Sequence, residues 1–164
     1  MRDIRITREY PHPPTRVWHA VTDPELVPLW TSTGRGGRPE GFSTAVGTHF
    51  RFVAKPVPGW RGIVECEVLE AHEPSLLRYS WVGDEKGDTT EVAYRIEPHP
   101  AGTRFTYEHT GFTGLGGFLM AKLVLGPVRR KMLDVGLPSV LDDGDDDGDD
   151  DGALRPETTL VPKS

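Results

Sequence analysis

Cysteine is nearly missing from this chain of 164 residues: Cys66 stands alone, which excludes an internal disulfide. Long apolar runs are missing too. No segment reaches the roughly 20 apolar residues that span a bilayer, and the opening MRDIRITREY lacks the apolar core of a signal peptide. A cytoplasmic location without membrane insertion is therefore expected. A basic surplus is absent, since the formal net charge is -6, and this argues against a nucleic-acid partner. No serine sits in a G-x-S-x-G elbow, and no phosphate-loop or dinucleotide glycine motif occurs. The six histidines form neither H-x-x-x-H nor H-E-x-x-H pairs, so neither a catalytic zinc nor a resident cofactor is expected.

What is present divides the chain in two. Outside residues 142–164, which hold nine of the acidic and two of the basic residues, the charges balance to within one. Asp142 to Asp151 contain eight aspartates and two glycines. The spacing Asp143, Asp145, Asp147, Gly148 matches the first half of a calcium loop, as does Asp147, Asp149, Asp151, Gly152. The twelfth position, which should be a bidentate glutamate, is Leu154 in one register and Thr158 in the other. The expectation is one domain over residues 1–141 and an acidic, self-repelling, disordered tail over 142–164.

Inside the domain, four segments alternate apolar and polar residues in the same sense: 63–69, 76–82, 91–97 and 103–109. One side collects Val64, Cys66, Val68, Leu77, Tyr79, Trp81, Val92, Tyr94, Ile96, Phe105, Tyr107 and His109; the other collects Glu65, Glu67, Arg78, Ser80, Glu91, Arg95, Glu97, Arg104, Thr106 and Glu108. A period of two puts the sets on opposite faces of a sheet, one buried and one wet. Cys66 falls on the buried side, where a small, weakly polar residue is ordinary and an unreactive thiol is expected.

Residues 2–9 alternate weakly and predict a first strand, ended by Pro11, Pro13 and Pro14. Pro14 suits the first position of a helix, and Val17, Ala20 and Val21 give it one apolar face. Asp23 and Pro24 stop that helix, and Leu26 and Trp30 lie one turn apart in a second. Residues 31–47 contain five glycines and read as a long loop. Residues 49–53 alternate again with Phe50 and Phe52 inward, Trp60 opens the next strand, and 73–75, 83–88 and 98–102 read as hairpin loops. From Leu115 the period turns helical through Phe118, Leu119, Lys122, Leu123 and 130–133. Pro127 should kink or split this helix, and Gly136 and Pro138 weaken its far end. The fold expected is α+β: a six-stranded curved antiparallel sheet, two short helices after its first strand, and a long C-terminal helix over one face.

Several motifs run in that same order: Pro13–Pro14–x–x–Val17–Trp18–x–Ala20, Asp23–Pro24–x–Leu26 with Trp30, and Val46–Gly47 before Phe50–x–Phe52. They continue with Gly62–x–Val64, Leu77–x–Tyr79–x–Trp81, Gly102–Thr103–x–Phe105 and His109–x–Gly111–Phe112. Over residues 2 to 140 the chain resembles the START-like superfamily, also called helix-grip or SRPBCC, and within it the heat-shock-protein ATPase activator homologues. The resemblance implies a sheet gripping the C-terminal helix around a cavity that takes lipids, polyketides, sterols or other apolar molecules. It does not imply one shared reaction. The glycine-rich loop, Pro127 and the aspartate tail depart from the pattern.

The residues expected to line such a cavity are Trp30, Phe52, Tyr79, Trp81, Tyr94, Tyr107, His109, Phe118 and Leu119. Trp30, at the end of a short helix, is placed at the mouth; Trp81 reads as core or wall. Tyr79, Tyr94 and Tyr107 either converge as a polar spot or fill core separately. His109 either orients a ligand and moves protons or is a neutral structural histidine. Gly114, Gly116 and Gly117 precede a helix and could receive an anion, although a tight turn explains them as well. The function expected is binding of an apolar or aromatic small molecule, lipid- or polyketide-like. Two alternatives stand beside it: an aromatase, cyclase or small hydrolase using His109 and the tyrosines, and a protein-binding regulator of a chaperone ATPase.

Overall fold

The computed structural model describes residues 3–31, 37–56, 62–82, 89–112 and 126–143. Trp60, the glycines at 114, 116 and 117, the pair Phe118 and Leu119, and the chain beyond residue 143 lie outside them. Strand β1 (Ile4–Tyr10) is followed by helices α1 (Pro14–Thr22) and α2 (Val27–Trp30). The strands β2 (Arg38–Glu40), β3 (His49–Val53), β4 (Ile63–His72), β5 (Leu76–Val82), β6 (Thr90–His99) and β7 (Gly102–Thr110) come next. Together with β1 they form one antiparallel sheet in the order β1-β7-β6-β5-β4-β3-β2, a meander closed at one edge by the first strand.

The sheet thus has seven strands where six are read from the sequence. The extra one, β2, lies in the glycine-rich segment and pairs Pro39 with Phe52. Three residues around a proline are too short to show a period of two, and an edge strand tolerates a proline that donates nothing. A register shift between Val68 and Glu70 marks a bulge, the usual device for bending a sheet.

The alternating residues separate as their phase requires. Val64, Cys66, Val68, Leu77, Tyr79, Val92, Tyr94, Ile96, Phe105, Tyr107 and His109 are buried, and Trp81 is half-buried. On the opposite face Arg95 reaches Glu108 at 2.9 Å and Arg78 reaches Glu91 at 2.8 Å. Thr106, on that outer side, is nevertheless buried, and its hydroxyl lies 3.3 Å from that of Thr7 across β1 and β7.

Helix α1 starts with Pro14 in its first turn, ends where the Asp23 N–H bonds the His19 carbonyl, and buries Val17, Trp18, Ala20 and Val21. The C-terminal helix is described from α3 (Gly126–Lys131), through a wide π-helical turn (Met132–Gly136), to helical residues 137–143. Pro127 stands in the first described turn of this helix. Pro138 does not end the helix, and the wide turn explains why. The Leu137 N–H bonds the Met132 carbonyl, so the Leu133 carbonyl would look to residue 138, which has no N–H. The Tyr10 hydroxyl donates to it instead at 2.7 Å in a buried bond. Tyr10→Phe strands that carbonyl and is expected to cost about 1–2 kcal/mol, read by urea unfolding. An unchanged midpoint would mean that water replaces the phenol. Gly136 completes the docking: a Cβ there would collide with the backbone carbonyl of Trp30, so the absence of a side chain lets the helix lie directly on α2.

Candidate functional site

The register of the central strands decides which inward side chains meet. Leu77 and Tyr107 both stand opposite Tyr94, Tyr79 stands opposite Val92, and Val92 opposite His109. Three tyrosines from three adjacent strands therefore share one patch under the helices. The Tyr79 and Tyr94 hydroxyls are 2.9 Å apart in a buried hydrogen bond, with ring centroids 5.7 Å apart. Tyr107 lies 5.8 Å from Tyr94, and its hydroxyl accepts a 2.7 Å bond from Nε of Arg129 on α3. Burial pushes all three phenols above their ordinary range, so they are neutral donors at physiological pH.

An aromatic shell surrounds these polar tips. Phe50 packs on Phe42, Phe52 and Tyr79 at 4.9, 5.5 and 5.4 Å. A cavity of about 10 Å³ lies between Val21, Val27, Phe42, Phe50, Tyr79 and Tyr94, room for about one water. A larger hollow, about 300 Å³, opens elsewhere, between the end of β1 and the C-terminal helix, beside Tyr10, His12, Leu133 and Asp142.

Trp30 is not at a mouth. It is fully buried, donates its ring N–H to the Ala20 carbonyl at 3.0 Å, and meets Tyr94 edge-on at 6.1 Å. The turn spacing of Leu26 and Trp30 shows that they share a helix face; only the docking of that helix decides that the face looks inward. Trp81, by contrast, is half-buried and packs at 5.0 Å on His109. Phe52 is half-buried beside Tyr79. Phe118 and Leu119 fall outside the described residues.

The ring of His109 packs against Trp81 and Phe112. The Thr90 hydroxyl donates to the Trp81 carbonyl at 3.1 Å and so accepts the N–H of His109 Nε2 at 2.8 Å. That assignment leaves a lone pair on Nδ1, which has no partner among the described residues. Burial, and then the charge of Arg129, lower the imidazole pKa to about 3, far from the value a general base needs at neutral pH. Cys66 is buried, and burial raises its thiol far above the reactive range. Among the described residues no group of three or more metal-binding side chains occurs and no helix is long and apolar enough to cross a membrane.

Arg129 is the residue that the sequence reading missed. Its signal was available: Arg129, Met132 or Leu133, Gly136 or Leu137, and Val140 or Leu141 recur at three or four residues, which puts an arginine on the apolar stripe.

A helix gripped by a bent antiparallel sheet is also what the comparisons find. Residues 11–124 match the family described as Activator of Hsp90 ATPase homolog 1-like protein. The chain belongs to that family. Among solved structures, this family member is similar to protein MLL2253 from Mesorhizobium loti, with 26% identity and a TM-score of 0.66 over 86% of this chain and 97% of the other. It is similar to CalU16 from Micromonospora echinospora, with 21% identity and a TM-score of 0.59 over 86% and 82%. It is also similar to DynU16, a protein in the dynemicin biosynthetic locus, with 22% identity and a TM-score of 0.70 over 88% of this chain and 48% of the other. At such identities the last two likenesses show the shared fold alone. No curated protein matches the chain. The fold is that of the START-like superfamily, whose architecture is compatible with holding a small molecule.

Proposed function

We propose that this protein binds an apolar or aromatic small molecule, lipid- or polyketide-like, between the inner face of the sheet and its helices, in the cytoplasm. The observation that carries the reading is the set of phenol and guanidinium groups enclosed in an aromatic shell. Polar groups are costly to bury, and phenylalanines would fill the same space at lower cost. A few placed polar groups inside an apolar lining are the usual makeup of a small-molecule site. Apolar burial would drive binding at about 25 cal/mol per Å². A ligand covering roughly 300 Å² would gain about 7 kcal/mol before ordering costs.

The cavity between the described residues beside Tyr79 and Tyr94 is water-sized, so a ligand seated there displaces one of those walls. Among the described residues, α2 and β2 form a wall of elements only four and three residues long, with few backbone bonds to break. The enzyme reading is less well supported, since His109 gives its N–H to Thr90 and its basicity is suppressed. Native mass spectrometry of the protein purified from its own host tests the proposal. A retained small molecule, released on denaturation, is expected. A bare polypeptide mass, with no thermal stabilisation by hydrophobic acids, alcohols or aromatics, would sink it.

A further inference from the structure

We infer that the ligand carries a carboxylate and that Arg129 receives it; this rests on the binding reading above and specifies the ligand class. Arg129 is 9% exposed, yet its partners are a phenol and a thioether: Nε donates to Tyr107, Nη1 lies 3.6 Å from Met132 Sδ, and the guanidinium carbon stands 5.8 Å from the Tyr107 ring centre. It makes no ion pair among the described residues, and Nη2 has no acceptor there. The sequence supplies no counter-ion nearby along the chain, for no aspartate or glutamate occurs between Glu108 and Asp134. Asp134 itself is half-exposed and bound to Arg8. Arginine stays charged when buried, and a buried charge without a partner opposes folding.

The donor count points the same way. The Tyr107 oxygen accepts from Arg129, so its own proton remains to be given. The Tyr79 and Tyr94 hydroxyls share one hydrogen bond and leave one proton over. Arg129 has five N–H donors, and a thioether is a weak acceptor. The interior therefore offers a fork of N–H groups and spare phenol protons, and the oxygens that meet them among the described residues are neutral phenols, not carboxylates. A carboxylate brings two oxygens that an arginine fork can hold side by side and the counter-charge that Arg129 lacks among the described residues. The neutral His109, turned toward Thr90, does not compete for the anion.

Isothermal calorimetry on the full chain at neutral pH with matched probes tests this: decanoic acid against decanol, and naphthoic acid against naphthylmethanol. In the native protein at least one acid should bind about 10- to 100-fold more tightly than its alcohol, the worth of a charged hydrogen-bonded pair. Arg129→Met should remove that preference, the acid then binding about as tightly as its alcohol. Arg129→Lys, which keeps the charge without the fork, should retain part of it. Equal binding of acid and alcohol to the native protein overturns the inference and leaves the binding proposal standing, as does a preference that survives Arg129→Met. Failure of every probe to bind overturns both. Should Arg129→Met not fold, the native comparison and Arg129→Lys still decide.

Discussion

Replacing Trp30 by alanine is expected to lower the unfolding free energy by about 4 kcal/mol. The ring has no exposure, its edge packs on Tyr94, and its N–H satisfies the Ala20 carbonyl. Truncation removes a large buried surface, leaves a void that rigid neighbours close only in part, and strands an acceptor. The residue is also a joint: Gly136 of the C-terminal helix rests on its backbone carbonyl, so a shift of α2 into the void loosens the C-terminal helix docked on it. Trp81→Ala is the comparison. That ring is half-buried, and the loss there should be about 1–2 kcal/mol. Urea unfolding of both variants at constant slope gives the numbers. A larger loss at position 81 than at 30 would reverse the roles assigned to the two rings.

Acid should destabilise the native protein well before its carboxylates protonate, and His109 is the reason. An unfolded imidazole takes up its proton near pH 6.5, whereas the buried one resists until about pH 3. Between those values the unfolded chain binds a proton that the folded chain refuses. The stability that His109 contributes by staying neutral is complete above pH 6.5 and is lost as the pH falls toward 3. Each pH unit in that window costs about 1.4 kcal/mol, or roughly 2.7 kcal/mol at pH 4.5. Asp134, held low by its hydrogen bond from Arg8, and Glu70, held low by those from His72 and then Arg78, lose their own contributions at lower pH, so a variant is needed to isolate the histidine. His109→Gln keeps a donor for Thr90 and removes the titration. Its deficit against the native protein should be largest at neutral pH and shrink on acidification. Parallel stability curves from pH 7 to 4.5 would show that His109 does not titrate in this way.

Much of the sheet can be read from alternation because a period of two survives any local irregularity that keeps phase. Val64 to Val68, Val92 to Ile96 and Phe105 to His109 each carry their own evidence of which side is buried. β2 carries none, since three residues cannot express a period and its identity comes from pairing with β3. Trp30 shows a second limit: helical spacing gives the face it shares with Leu26 but not the direction in which that face docks. Arg129 shows a third. Its place on the apolar stripe is legible from spacing, but a charged residue on such a stripe reads as a boundary until Tyr107 is seen to meet it.

By itself the sequence determined the local variables: strand phase, the proline that opens α1, the polar tips distributed along one face, the lack of acidic residues from 109 to 133 and the aspartate run at the end. These depend on neighbours a few residues apart, where covalent geometry fixes direction. The tertiary structure alone decided which tips meet, that the Tyr10 phenol replaces the N–H missing at Pro138, that Trp30 is fully buried and Trp81 half-buried, and that Arg129 is enclosed with no carboxylate beside it among the described residues. Each of those pairings joins side chains from separate elements, most of them far apart along the chain, and such contacts are set by register and docking rather than by the order of residues.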